Sequence, residues 1–335
     1  MLTAIFLTTL LLTVYSLDDE TLWQDYKLKY NKTYKSVEDD YLHFNIFQNK
    51  LRLIEKHNTE YAAHKHSYKI GINQFTDQTK EELERIFNRR KPPHRPNHHH
   101  IFSQTTPQPL PNAIDWRDNI TAIGDPTDLI AEYPCKLDWA AAAADALTAQ
   151  NFLINKGQDL LSSQQLLDCS SAFGTDGCNG GDATSAFEYV EYNGINTNRD
   201  YPYVGTNGTC KAKNTSAIKV AGYRTVFSTE EDLQVAVATV GPIPVRLYME
   251  TFLDYRGGVY DNPGCLSDLD LLDSTALVVG YGTDPATDRT PATDFWLIKT
   301  SMGVYWGEDG MIRIKRGLYL CGITLDAVYP VVVKN

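Results

Sequence analysis

Six cysteines and eight histidines are the residues of this 335-residue chain best suited to nucleophilic, redox or metal chemistry. All eight imidazoles precede Ile101, so from Ile101 to Asn335 there is none, whereas the cysteines run from Cys135 to Cys321. A thiolate nucleophile works with a base that takes and returns a proton. The cysteine-bearing part of the chain has no His to supply one. Even in number, the cysteines fit a disulfide framework, although spacing leaves the pairing open. His98-His99-His100 could bind a metal weakly, but among so many prolines it reads as a solvated tract. Cys178-Asn179-Gly180-Gly181 is C-x-x-G rather than the C-x-x-C of a metal knuckle, and no metal or cofactor is expected. Ser274 beside Asp273 has the residue types of a serine nucleophile, yet with no base nearby it reads as a polar strand-edge residue. Asp138 opens an Ala-rich stretch. A carboxylate at a helix start accepts backbone N–H bonds and suits the dipole, worth about 0.5–2 kcal/mol. An acid/base pair of Asp138 with Glu132 is the sharper alternative, but nothing in the sequence fixes their separation.

The segments that must position these residues differ in texture. Leu2 to Val14 is apolar and is followed by Tyr15, Ser16 and then Asp18-Asp19-Glu20. That run is too short to span a bilayer and fits a signal peptide over residues 1–16, with Val14 and Ser16 at the −3 and −1 positions. Export makes the sequons at Asn31, Asn119, Asn207 and Asn214 candidate glycan sites. Residues 17–90 read as helical and strongly charged. Within them Ser36-Val37-Glu38-Asp39 resembles a capping box, and Val37, Tyr41, Phe44, Phe47, Leu51 and Ile54 mark one helix face. Residues 91–109 form a Pro/His-rich linker open to processing. Beyond it, Asp138 to about Lys156 reads as a long helix ended by Gly157, and Ser163–Leu167 as a short one. Ser228-Thr229-Glu230-Glu231 caps a helix over Leu233–Val240 that Gly241-Pro242 stops. Val245–Tyr248, Ala276–Val279, Phe295–Ile298 and Met311–Ile314 read as strands. Helices early and strands late imply an α+β arrangement of two subdomains. The net charge of −11 argues against a nucleic-acid backbone or an anionic membrane as partner. No later segment is apolar enough to cross a bilayer.

Several short motifs resemble those of one family. Gly71-Ile72-Asn73-Gln74-Phe75-Thr76-Asp77 has the G-x-N-x-F-x-D form of papain-type propeptides, with Gly71, Asn73, Phe75 and Asp77 as its fixed positions. The helix before it resembles their ERFNIN helix through Phe47, Ile54 and Asn58, with Asp39, His43 and Lys50 where Glu, Arg and Asn are usual. Ile114-Asp115-Trp116-Arg117 resembles the start of a mature enzyme. Gln165-Leu166-Leu167-Asp168-Cys169, Tyr201-Pro202-Tyr203, Val279-Gly280-Tyr281-Gly282 and Trp306-Gly307-Glu308-Asp309-Gly310 follow in the family's order. The chain thus resembles the cathepsin L-like cysteine proteases of the papain family over nearly its whole length after the signal. The resemblance implies a papain-like two-subdomain α+β fold, helical on the left and β-barrel-like on the right. A helical inhibitory-type propeptide (17–90) would precede a mature domain over residues 110–335. It also selects Cys135–Cys178, Cys169–Cys210 and Cys265–Cys321 as disulfides. Each would be worth roughly 4 kcal/mol in the chain-entropy picture.

The same resemblance says where the chemistry should be. Family members open the long helix with a nucleophilic Cys directly before a Trp, and here that position is Asp138. The base His falls on Ser274, the orienting Asn on Thr300, and the Trp of N-S-W-G on Met302. The oxyanion Gln falls on Glu132, whose carboxylate cannot donate a hydrogen bond when ionised. Gly180 and Gly181, which line the family's peptide groove, remain. The expectation is a monomeric, catalytically inactive homologue, secreted to the extracellular space or held in a lysosome-like compartment, that binds a peptide, a protease inhibitor or a partner protein. The alternatives are an active cysteine endopeptidase, a trans inhibitor of an active relative through the propeptide, and a bulk storage role.

Overall fold

A computed structural model describes residues 19–87, 109–123, 135, 137–213, 217–287 and 291–334. The expected signal peptide, nearly all of the linker with its His triplet, Glu132 and Asn214 lie outside the described residues. The prodomain runs α1 (residues 19–29), α2 (Val37–Ala62), β1 (Tyr68–Ile70) and α3 (Lys80–Phe87). The body follows with β2 (Ile114–Asp115), α4 (Asp138–Asn155), α5 (Ser163–Cys169), α6 (Ala183–Asn193), β3 (Val220–Thr225) and α7 (Glu230–Thr239). It ends with β4 (Ile243–Leu247), β5 (Tyr255–Tyr260), β6 (Ser274–Asp284), β7 (Thr293–Lys299), β8 (Met311–Lys315) and β9 (Val328–Val332).

Two cores divide the body. On the left, α4, α5 and α6 bury Trp139, Leu147, Leu166, Phe187 and Val190. On the right, a sheet of order β1-β5-β8-β7-β6-β2, with β4 also paired to β6, buries Val245, Val278, Trp296, Ile298 and Ile312. Strand β6 serves both. Successive residues point to opposite faces, so Ala276 and Val278 enter the right core while Leu277 and Val279 enter the left. Every residue of β6 from Ser274 to Gly282 is buried as a result. The run Ala140–Ala144 gives α4 strong helix propensity and a smooth flank beside this strand. The three disulfides are Cys135–Cys178, Cys169–Cys210 and Cys265–Cys321, as the resemblance implied, and no cysteine is free.

Three local expectations need correction. The left-handed residue that ends α4 is Lys156 (φ 60°), with Gly157 following it. The cap of α7 is Thr229 rather than Ser228, its side chain taking the Asp232 N–H at 3.0 Å. Ser36 does cap α2 by accepting from Asp39 N–H, but Val37 and Tyr41 are exposed and the buried positions are His43 and Phe47. The first turn of α2 overhangs because its aromatic partners sit further along. Trp23 and Tyr26 of α1 meet Phe47 at ring-centroid distances of 5.2 and 4.7 Å, giving the prodomain a small core of its own.

The prodomain docks by extending the body's sheet. Strand β1 runs antiparallel to β5 with Tyr68 opposite Gly258. Gly258 has φ +92°, and a Cβ there would stand 2.5 Å from Ser67 O, so only glycine permits this approach. Gly258→Ala is expected to cost about 1–3 kcal/mol and to loosen β1. Urea unfolding combined with limited proteolysis of the prodomain checks this; an unchanged midpoint and cleavage rate would contradict the tight approach.

Candidate functional site

The site forms where α4 begins against the start of β6. Leu137 is the cap residue of α4, in αR conformation with no side-chain cap bond. Asp138 follows, 3% exposed, and its Oδ2 accepts the backbone N–H of Thr275 at 2.6 Å. The carboxylate therefore accepts a backbone N–H, as expected, and ties the helix start to a strand 137 residues away. β6 presents this amide at hydrogen-bond range, and a hydrogen bond to a carboxylate is a strong one. Ser274 is buried at the first position of β6, where it pairs with Leu247 of β4. Among the described residues its Oγ has no hydrogen-bond partner. Asp273 does not orient it: its carboxylate accepts Met249 N–H at 2.8 Å and Glu250 N–H at 3.1 Å. Thr300 is buried at the end of β7 and donates its hydroxyl to Gly310 O at 2.8 Å. Glu132, the fourth position, is outside the described residues, so the Asp138–Glu132 pairing has no geometry to support it.

The peptide-groove candidates are held firmly beside this point. Gly180 accepts Asp176 N–H at 2.7 Å, and Cys178 N–H goes to Asn207 Oδ1 at 2.7 Å. Trp139 Nε1 donates to Gly177 O at 3.3 Å. A Cβ on Gly181 would lie 2.6 Å from the Trp139 ring, so this loop lies flat on the indole. Asn31, Asn119 and Asn207 are all exposed.

The prodomain reaches the same neighbourhood through its motif. Gly71 N–H donates to Asp254 O at 2.8 Å, Asn73 Nδ2 to Leu253 O at 2.7 Å and Gln74 Nε2 to Met302 O at 2.6 Å. Phe75 enters the body's right core. Asp77 turns back and collects the prodomain's own donors: Tyr26 and Tyr34 hydroxyls at 2.6 and 2.7 Å and Lys32 Nζ at 2.7 Å. Burial, reinforced by the Asp77 carboxylate, pushes both phenols well above their ordinary range, so they stay protonated donors. The described imidazoles, His43, His57, His64 and His66, all belong to this prodomain. Among the described residues no group of three or more His, Cys, Asp or Glu could hold a metal ion.

Two interactions escaped sequence reading. One is the use of Thr275 N–H by Asp138. The other is an ion pair between Lys299 Nζ and Asp145 Oδ2 at 2.9 Å, 154 residues apart. The only available signal was a lone Asp inside an alanine-rich helix.

A two-cored α+β body with a helical prodomain laid along its sheet defines a propeptide-bearing peptidase fold. Residues 110–331 match the family model of papain family cysteine proteases, and residues 23–83 that of the cathepsin propeptide inhibitor domain. A cathepsin L-like proteinase of Phaedon cochleariae is 36% identical over 331 residues, covering 98% of each chain. Cathepsin L of Sarcophaga peregrina is 34% identical over 331 residues, covering 92% of each. The structure of digestive procathepsin L 3 from the Tenebrio molitor larval midgut matches with a TM-score of 0.82 at 31% identity, covering 93% of this chain and 99% of that one. The chain belongs to the papain family of cysteine proteases. Within that family it is a cathepsin L-like member with a propeptide.

Proposed function

We propose that this chain is an exported, non-cleaving member of its family that binds a peptide or protein in the cleft beside Asp138. One observation carries the reading. Where a thiol, an imidazole and an amide would be needed stand Asp138, Ser274 and Thr300, while every cysteine is in a disulfide and every histidine precedes Ile101. A carboxylate bonded to an amide is a poor nucleophile, and among the described residues no base is hydrogen-bonded to the Ser274 hydroxyl. The rigid Gly180–Gly181 segment supports retention of a groove, since it keeps backbone groups in place for an extended ligand. Three disulfides suit an oxidising compartment and thus export. Among the described residues no helix is long and apolar enough to cross a membrane.

Covalent labelling tests the reading. The body, freed from its prodomain by an added protease, is incubated with a peptidyl epoxide and weighed intact. No adduct is expected, while a panel of immobilised peptides and a cystatin-like inhibitor are screened for reversible binding. An epoxide adduct on the body overturns the non-cleaving half of the proposal, and absence of any reversible ligand overturns the binding half.

A further inference from the structure

Beyond Asp138, one to two turns further along α4, lies a cavity of about 260 Å³. It exists because Ala141, Ala142 and Ala144 face it with single methyl groups, opposite Leu160. Lys299 and Asp145 also line it, bonded to one another at 2.9 Å with side-chain exposures of only 9% and 18%. An ammonium carries three donors and a carboxylate two acceptor oxygens. Here each commits one, with no further partner among the described residues. A buried ion pair is costly unless its remaining donors and acceptors are met. Burial pushes the Asp145 carboxyl above its ordinary range, and Lys299 offsets only part of that. Lys299 is the donor that reaches this carboxylate among the described residues.

The pair is neutral as a whole, so a ligand that completes it should be neutral too, with an anionic end for Lys299 and a cationic end for Asp145. The wall beside them is mixed, with alanine and leucine side chains next to polar Ser163, Asn198, Thr300 and Ser301. The volume lies below the roughly 300–1,000 Å³ typical of drug-sized ligands, which restricts the occupant to a small molecule. We propose that this cavity binds a small zwitterion, a free aliphatic α-amino acid. Its carboxylate takes the spare N–H groups of Lys299, its ammonium meets Asp145, and its side chain lies on the alanine wall. The site is independent of whether the cleft binds peptides, and it predicts that the amino acid stabilises the fold by mass action.

Calorimetric titration of the full-length chain with L-valine, isobutylamine and isovalerate tests this. L-valine should bind saturably, and each single-charge analogue at least about tenfold more weakly. Ala142→Leu, which fills the cavity and leaves the ion pair, should weaken L-valine at least about tenfold without lowering the unfolding midpoint. Exchanging the pair for apolar residues of similar size, Asp145→Leu with Lys299→Met, keeps the fold and should abolish binding. The proposal fails if L-valine gives no heat up to about 10 mM, if the analogues match it, or if Ala142→Leu binds it unchanged. The first means that the cavity holds water alone, the second that the ion pair does not read the ligand's two charges, and the third that L-valine binds elsewhere.

Discussion

Once stripped of its prodomain, the body is expected to hydrolyse a fluorogenic peptide on the order of 10⁶-fold more slowly than an active papain-family enzyme assayed beside it, the cost of losing nucleophile or base alone in a comparable hydrolase. Such groups act as a unit, so their losses do not add and neither do single repairs. Asp138→Cys places a thiol at a buried position with no base to take its proton, and burial raises a thiol's pKa. Ser274→His alone supplies a base with nothing to activate. The two positions adjoin, since the Asp138 carboxylate lies 2.6 Å from the amide of the residue after Ser274. The double variant Asp138→Cys with Ser274→His should therefore react with a peptidyl epoxide about 10²–10⁴ times faster than Asp138→Cys, the usual contribution of a positioned proton acceptor. Intact mass and the rate of adduct growth check it. Turnover by the unaltered body that co-elutes with it through successive columns would sink the inactive reading, and equal labelling of single and double variants would sink the geometry.

What the sequence made legible follows from how each feature is encoded. Strands β4, β6, β7 and β8 carry apolar runs and were readable. β5 contains Gly257 and Gly258, and β9 contains Pro330, so their composition argues against strands. Both form anyway. In β5 the glycines admit β1 of the prodomain, and in β9 the proline is tolerated because, among the described residues, the strand pairs with β3 on one side and is an edge on the other. The disulfides became readable through the family motifs, since composition alone left their pairing open. Asp138 shows the limit. A carboxylate at a helix start has a local reading with a sound energetic basis, and nothing in that reading points to the contact with a strand 137 residues onward. The Lys299–Asp145 pair is of the same kind. No local period links the two residues, and only the packing of α4 against the end of β7 brings them together.

The second large effect is expected in the prodomain at Asp77. Its carboxylate, 2% exposed, is the common acceptor for Tyr26, Tyr34 and Lys32, three donors that arrive from α1 and the segment following it. Its backbone carbonyl takes Nδ1–H of His43 at 2.8 Å, which brings α2 into the same cluster. Asp77→Asn keeps the shape and removes the charge. The Lys32 ammonium is then left in a largely buried place without a counter-ion, and two phenols compete for one amide oxygen. Breaking a buried pair by removing one partner costs about 3–5 kcal/mol. The loss should fall on the prodomain, because Asp77 stands two residues past Phe75, the motif side chain seated in the body's right core. Hydrogen exchange should show residues 19–87 losing protection while the left core around Trp139 and Phe187 keeps its own. Alkaline pH should act on the same cluster. Unfolded tyrosines ionise near pH 10, about where docked Tyr26 and Tyr34 still cannot, so the cluster's stability is complete below about pH 10 and declines above it. Tyr34→Phe should blunt that alkaline decline. A shift of less than about 1 kcal/mol for Asp77→Asn, the size of an ordinary surface substitution, would mean that Asp77 does not hold the prodomain together.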